Sequence, residues 1–303
     1  MRALLGNLKE KDIPYRTDVS ATTLCTFRIG GTVALVIEPR CIQELYEACA
    51  LCRAARYPFE ILGNGSNVLF EDGYLPLAVV RTKLLDACRL LPWGIWAECG
   101  APLPRLCHVA AANGRGGLGF ACGIPATLGG ALAMNAGAHG GVLSDVVKSV
   151  KLLNVTSGEI KTDVNFKNNA LYRNGGFKDE NTLILGAELE LNNGFAPEQL
   201  LAEIKRLRDE RRARQPVELP SAGCVFRRPH PWLPIGKLLD ELGCKGMRVG
   251  GAEVSQKHAA FIVNIGNATA ADVKALMREI EKKAEKERGM TLTSEIRIIS
   301  GRV

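Results

Sequence analysis

Aromatic side chains are scarce in this chain: Phe, Trp and Tyr together make up 6% of 303 residues, and histidine occurs only four times. The scattered positions of His108, His139, His230 and His258, with a single C-x-x-C pair at Cys49 and Cys52, give no ligand spacing of the kind that builds a zinc site. No run of 18 apolar residues exists, so no segment reads as a spanning helix and no membrane insertion is expected. The opening MRALLGNLKEKDIPYR has an apolar stretch too short for a secretory signal and meets acidic residues early, so a cytoplasmic protein is expected. A Walker A sequence is also missing.

What is present describes a globular protein. Hydrophobic residues make up 47% and charged residues 23%, enough to bury a core and unlike a disordered or fibrous chain. The length suits two domains or three small ones. Ten cysteines in a chain of this size read as reduced thiols rather than a disulfide framework. The net charge of +7 suits an acidic small molecule as well as nucleic acid. The most basic segment, EIKRLRDERRAR (203–214), carries six basic and three acidic residues without a continuous basic face or interleaved aromatics, so no nucleic-acid partner is expected.

Periodicity predicts strands at 33–39, 59–62, 77–82, 146–155 and 182–191, and helices at 42–56 and 104–113. Gly194 to Pro197 marks a seam. Beyond it come a charged helix at 198–214, a short helix at GKLLDEL, a strand at AAFIVNI, a helix at 270–288 and a closing strand TLTSEIRII. Thr269 and Asp272 supply an N-terminal cap for the long helix, and Val273, Leu276 and Ile280 its buried stripe.

Glycines, 32 in all, carry the motifs. Gly114 to Gly119 matches G-x-G-x-x-G, but a helix precedes it and Phe120-Ala-Cys-Gly-Ile-Pro follows; a dinucleotide fingerprint needs a strand before and a helix after. Two other regions say more. Gly63-Asn64-Gly65-Ser66-Asn67 lies between two apolar runs, where a tight loop of small polar residues forms either a plain hairpin or an anion-binding nest of backbone N–H groups. Gly123-Ile124-Pro125-Ala126-Thr127-Leu128-Gly129-Gly130, continuing through Asn135-Ala136-Gly137, is built of small residues; it is either a tightly packed helix or a surface that lets backbone approach a ligand closely.

With these segments in view, TFRIGG (26–31), ILGNGSNVLF (61–70) and CGIPATLGGALAMNAGAHG (122–140) resemble the flavin-binding segments of the UDP-N-acetylenolpyruvoylglucosamine reductases. The likeness continues in order through ALYRNGGFK (170–178), PSAGCVFRRP (220–229), HAAFIVNIGNATAADV (258–273) and SEIR (294–297), and resembles the compact form of the family without an inserted substrate loop. It implies an α+β fold: a two-lobed FAD-binding domain of the vanillyl-alcohol-oxidase type (1–82 and 83–195), followed by a smaller α/β substrate-binding domain (196–303). It also implies non-covalent FAD, its pyrophosphate held by backbone N–H groups of the loop Gly63, Asn64, Gly65, Ser66, Asn67 and of the segment with Gly123, Ile124, Pro125, Thr127, Gly129, Gly130, Asn135, Ala136 and Gly137.

The implied reaction is ping-pong: NADPH reduces FAD and leaves, then the enolpyruvyl ether of UDP-N-acetylglucosamine takes hydride at C3 and a proton at C2. Negative charge then gathers on the C2–carboxylate system, where fixed donors act most strongly. The resemblance assigns catalytic roles to Arg173, a permanent cation with a fork suited to a carboxylate, to Cys224 and to Glu295, which reads as mid-strand. It allows Arg211 or Arg214 a place at the UDP pyrophosphate. Asn64 and Ala126 stand where the family has Gly, Gly175 where Ser is frequent, and Arg228 where Asn is usual; Cys224 replaces the serine proton donor. A thiol with a reference pKa of about 8.5 is protonated at neutral pH and is the stronger acid of the two. The rival readings are an alcohol oxidase or dehydrogenase on the same flavin fold, and a non-catalytic flavin electron-transfer subunit.

Overall fold

A computed structural model describes residues 1–177, 179 and 181–301. Lys178, at the end of ALYRNGGFK, and residues 302–303 of the expected last domain lie outside the described residues. The chain packs into two compact units that interleave along the sequence: Met1–Arg16, Leu35–Asn64 and Ala78–Glu210 form one, and Thr17–Ala34, Gly65–Leu77 and Arg211–Val303 the other. The passage from one to the other therefore occurs within strands, within the loop 63–67 and within the helix Pro197–Arg214, not at the Gly194–Pro197 seam.

The first unit holds a five-stranded antiparallel sheet in the order Ile160–Asp163, Val147–Asn154, Thr182–Glu190, Gly94–Glu98 and Cys88–Leu91. Val150, Ala187, Leu189, Ile95 and Ala97 point from it into one core, closed by the helix Leu103–Ala112 and by Leu128, Ala131 and Leu132. A second core lies under the helix Ile42–Ala54. Cys49 and Cys52 face this core from successive turns, and burial pushes both thiols up to about 12. The C-x-x-C pair is packing material, not a reactive dithiol. The strand Phe59–Leu62 pairs in parallel with Tyr74–Arg81, in the register Ile61↔Val80 and Leu62↔Arg81. The G-x-G-x-x-G run begins just past the end of Leu103–Ala112, with Gly114 at φ +65° and Gly117 at φ +106°. It is a helix exit, as its neighbours in the sequence require.

The second unit holds a four-stranded sheet in the order Ser221–Cys224, Phe261–Asn264, Ala252–Val254 and Arg248–Val249, covered by the helix Ala270–Arg288. Val68–Phe70 and Arg297–Ile299 form a separate parallel pair. The closing strand is shorter than TLTSEIRII suggests: Glu295 lies between an isolated bridge at Ser294 and the strand that starts at Arg297. Thr269 and Asp272 form the expected capping box. A second cap comes from far away in sequence: the Asp72 carboxylate accepts the N–H groups of Ala270 and Ala271, each at 2.9 Å. Two first-turn donors and the positive end of a 19-residue helix thereby meet a charge. Asp72→Ala should cost about 1–2 kcal/mol, read as a lower urea midpoint at unchanged slope; an unchanged midpoint would show that Thr269 and Asp272 suffice.

Candidate active site

In the first unit, the loop after Phe59–Leu62 meets the small-residue segment at one point. A Cβ on Gly63 would stand 2.1 Å from Thr127 Oγ1, so only glycine allows this approach. Beside it, Asn64 Nδ2 donates to Pro125 O at 2.7 Å. Asn64 and Ala126, two of the departures from the family pattern, thus flank one contact, and the asparagine ties the two segments where glycine would have no side chain to do so. Thr127 also caps the helix Leu128–Ala133.

The N–H groups of Ile124, Ala126, Leu128 and Gly129 donate to Ala121, Ile124, Ala101 and Cys99 carbonyls at 3.0, 2.8, 2.8 and 2.7 Å. Gly129 is small for packing reasons: an added Cβ would come within 2.9 Å of the Cys99 side chain. This stretch therefore offers a ligand close backbone approach more than a row of open donors.

The same short helix positions Arg173. Gly175 N–H donates to Ala133 O at 2.9 Å, and a Cβ on Gly175 would lie 2.1 Å from Leu132 O, so the turn presses on the end of the helix at the place where Ser is frequent in the family. The buried Asn135 donates from Nδ2 to Leu171 O at 3.3 Å and Ser144 Oγ at 3.2 Å, while its Oδ1 accepts Ser144 N–H. Its polar atoms hold the turn that carries Arg173. Ala136 N–H bonds Ala131 O, and Gly137 pairs with Val142. Leu171 and Asn174 close that turn through N–H···O bonds of 2.7 and 3.1 Å, and Arg173 within it takes φ +56°. Its guanidinium lies 5.5 Å from the Tyr172 ring centre.

In the second unit, Ser221 pairs with Val263 and Cys224 with Phe261, so three steps on one strand match two on its partner. The extra residue is a bulge, and Gly223 takes φ +78° within it. This explains the glycine of SAGC: it re-aims the strand immediately before Cys224, which stays half-buried rather than sealed in the core. Glu295 N–H then donates to Val225 O at 2.7 Å, next to an antiparallel bridge between Phe226 and Ser294. Cys224 and Glu295 therefore lie on adjoining stretches of backbone. Asn67 ties in from a third segment: its Nδ2 donates to Glu295 O at 3.1 Å, and its carbonyl accepts Arg297 N–H at 3.0 Å.

Gly65 and Ser66 precede Asn67 in the same unit; Gly65 has φ +66°, and its carbonyl accepts Thr26 N–H. Sequence reasoning did not single out Thr26, whose Oγ1 donates to Ser221 O at 2.7 Å, or Asn264, whose Nδ2 reaches the carbonyls of Phe27 and Arg28. Their only signal was membership in the segments TFRIGG and FIVN. Arg211 is half-buried and Arg214 exposed in the last turn of Pro197–Arg214.

Comparison with known proteins agrees with this layout. Residues 33–163 match an FAD-binding domain family, and residues 215–299 match the C-terminal domain of UDP-N-acetylenolpyruvoylglucosamine reductase. The UDP-N-acetylenolpyruvoylglucosamine reductase of Synechococcus sp. (strain JA-3-3Ab) is 40% identical over 91% of this chain and 88% of its own. That of Lactococcus lactis subsp. cremoris (strain MG1363) is 38% identical over 97% of both. The crystal structure of UDP-N-acetylenolpyruvylglucosamine reductase from Thermus caldophilus superposes with a TM-score of 0.78 at 30% identity, over 94% of this chain and 98% of that one. A berberine bridge enzyme variant, 15% identical with a TM-score of 0.50 over 63% of this chain and 43% of its own, shares the fold alone.

Gly63→Ala should lose bound flavin, read as visible absorbance per protein after purification, because the new carbon separates the two loops. Gly130→Ala adds a carbon at an ordinary 3.5 Å from Thr127 Oγ1 and should keep it. Equal retention by both variants would remove the contact at Gly63 from flavin binding.

Proposed function

The chain belongs to the UDP-N-acetylenolpyruvoylglucosamine reductase family, and from that premise we propose that it reduces the enolpyruvyl ether of UDP-N-acetylglucosamine to UDP-N-acetylmuramate with NADPH, a step of peptidoglycan synthesis. The flavin supplies, when bound, a carrier of hydride between NADPH and the vinyl ether. The residues fit such a group: the absence of a side chain at Gly63 lets its loop pack directly on Thr127, and the small side chains of both segments allow a ligand close backbone approach. Among the described residues no helix is long and apolar enough to cross a membrane.

The observation that carries the catalytic assignment is the bond from Glu295 N–H to Val225 O, which joins SEIR to SAGCVF. Cys224 then serves as proton donor to C2 of the substrate. Glu295, fixed through its own backbone by Val225 and Asn67, orients the donor or the carboxylate end of the substrate. Arg173 meets the charge that develops on the substrate carboxylate. Its turn is pinned at Ala133, Leu132 and Asn135, so the guanidinium needs little rearrangement as the charge appears. Arg211 and Arg214 remain the candidates for the UDP pyrophosphate. An oxidase or a bare electron-transfer subunit on the same fold would give Cys224 and Glu295 no shared task.

Two half-reactions separate these roles. Cys224→Ala should still let NADPH bleach the flavin, while reoxidation by the enolpyruvyl substrate in stopped flow slows by about 10²–10⁴-fold, the range of a positioned acid. Cys224→Ser should retain most of the rate, and a parental reoxidation rate in the Ala variant would remove the thiol from the mechanism. Arg173→Ala should lower turnover by about 10²–10³-fold with little change in flavin reduction by NADPH; equal damage to both halves would assign the arginine to NADPH binding or to structure.

A further inference from the structure

Arg81 ends the strand Tyr74–Arg81 and is paired in parallel with Leu62, the residue before Gly63. Parallel neighbours lie about 5 Å apart with side chains on the same face. Arg81 therefore stands at the carboxyl edge of the pair, where the loop 63–67 begins, and ligands of open α/β sheets gather outside such edges. Ala78 and Val80 turn to the core under Ile42–Ala54, so Arg81 does not point there.

Its guanidinium is mostly withdrawn from water: the side chain keeps 12% of its exposure, and Nε is buried with no hydrogen-bond acceptor among the described residues. Glu38 Oε1 lies 3.6 Å from Nη1, a distance too long for a good hydrogen bond. That carboxylate is already bound by Arg16, whose Nε meets Oε2 at 3.1 Å. Glu60 lies diagonally across the strand pair. Arg16 and Arg81 thus share the Glu38 carboxylate. Burial pulls the pKa of Arg81 down, with Glu38 opposing and Arg16 assisting, yet an arginine stays charged at neutral pH.

The facing ligand has the converse need. A dinucleotide pyrophosphate carries two negative charges, and a buried charge requires hydrogen bonds and a counter-charge. The four N–H groups of Ile124, Ala126, Leu128 and Gly129 are turned to protein carbonyls. We propose that Arg81 is a cofactor-binding residue whose guanidinium pairs with a phosphate oxygen of the FAD pyrophosphate at the carboxyl edge of Phe59–Leu62 and Tyr74–Arg81. This rests on FAD being the ligand of the 63–67 loop. Glu38 competes only weakly for the arginine at 3.6 Å, and the bound phosphate completes a charge balance that the described residues leave half made.

The test is equilibrium binding to apoprotein, followed by quenching of FAD fluorescence, with ADP as a competitor that carries the diphosphate without the flavin. Arg81→Met should weaken both FAD and ADP by about 10- to 100-fold, the scale of a hydrogen bond to a charged group, and Arg81→Lys by less. Glu38→Gln should leave FAD affinity unchanged or tighter, because it frees the arginine. Urea unfolding of each apoprotein reports folding separately. Should Arg81→Met not fold, Arg81→Lys and Glu38→Gln decide. FAD and ADP affinities within twofold of the parent in the arginine variants would overturn the proposal, as would a loss in Glu38→Gln equal to that in the arginine variants, which would mark a structural ion pair. Failure of the parent protein itself to bind FAD would overturn the functional reading as well.

Discussion

Thr127 Oγ1 fills the space that any side chain at position 63 would need. That one exclusion fixes how the loop after Phe59–Leu62 meets the small-residue segment. On one side of it, Gly63 continues the strand Phe59–Leu62 and so fixes what stands beside Leu62. On the other, Thr127 starts a six-residue helix whose far end receives Gly175 and the turn of Arg173. A short run of LGGALA thereby spans from the contact at Gly63 to the turn that carries Arg173. A helix of this length has little stability of its own; packing of Leu128, Ala131 and Leu132 in the core holds it. Its position is set by burial, and the polar groups at either end inherit that rigidity.

The second unit solves a different problem with backbone alone. Cys224 is half-buried at the end of Ser221–Cys224, where a regular strand would keep strict alternation with its neighbours. The bulge at Gly223 breaks that alternation immediately before Cys224. Bonds from Glu295 to Val225 and from Asn67 to Glu295 then assemble three distant segments without using the carboxylate or the thiol.

Much of this was legible in the sequence. Strong periodicity located the helices at 42–54 and 270–288 and the strand at 59–62 within a residue or two, and the Thr269–Asp272 box was readable from side-chain type. Flanking elements rejected the Gly114–Gly119 run correctly. What could not be read were long-range pairings. Glu295 looked mid-strand because apolar residues surround it, whereas its partner segment switches between Ser294 and Arg297. Asn67 was read only for its backbone N–H, and the bond from its side-chain amide to a backbone carbonyl distant in sequence had no local signal. Arg81 had no motif at all; its interest comes from the strand register that places it beside Leu62. The interleaving of the two units was likewise invisible, since both are built from discontinuous stretches.

That interleaving has a consequence for synthesis. Val68–Phe70 is made early, yet its parallel partner is Arg297–Ile299. Until the ribosome has passed Ile299, the early strand has an open edge, and a pairing this remote forms slowly because a long loop must close first. The exposed apolar triplet Val-Leu-Phe is a site where a nascent chain is vulnerable to wrong partners. The same late segment brings Glu295 to Val225. Closure of the second unit and the arrival of Glu295 beside Val225 are one event.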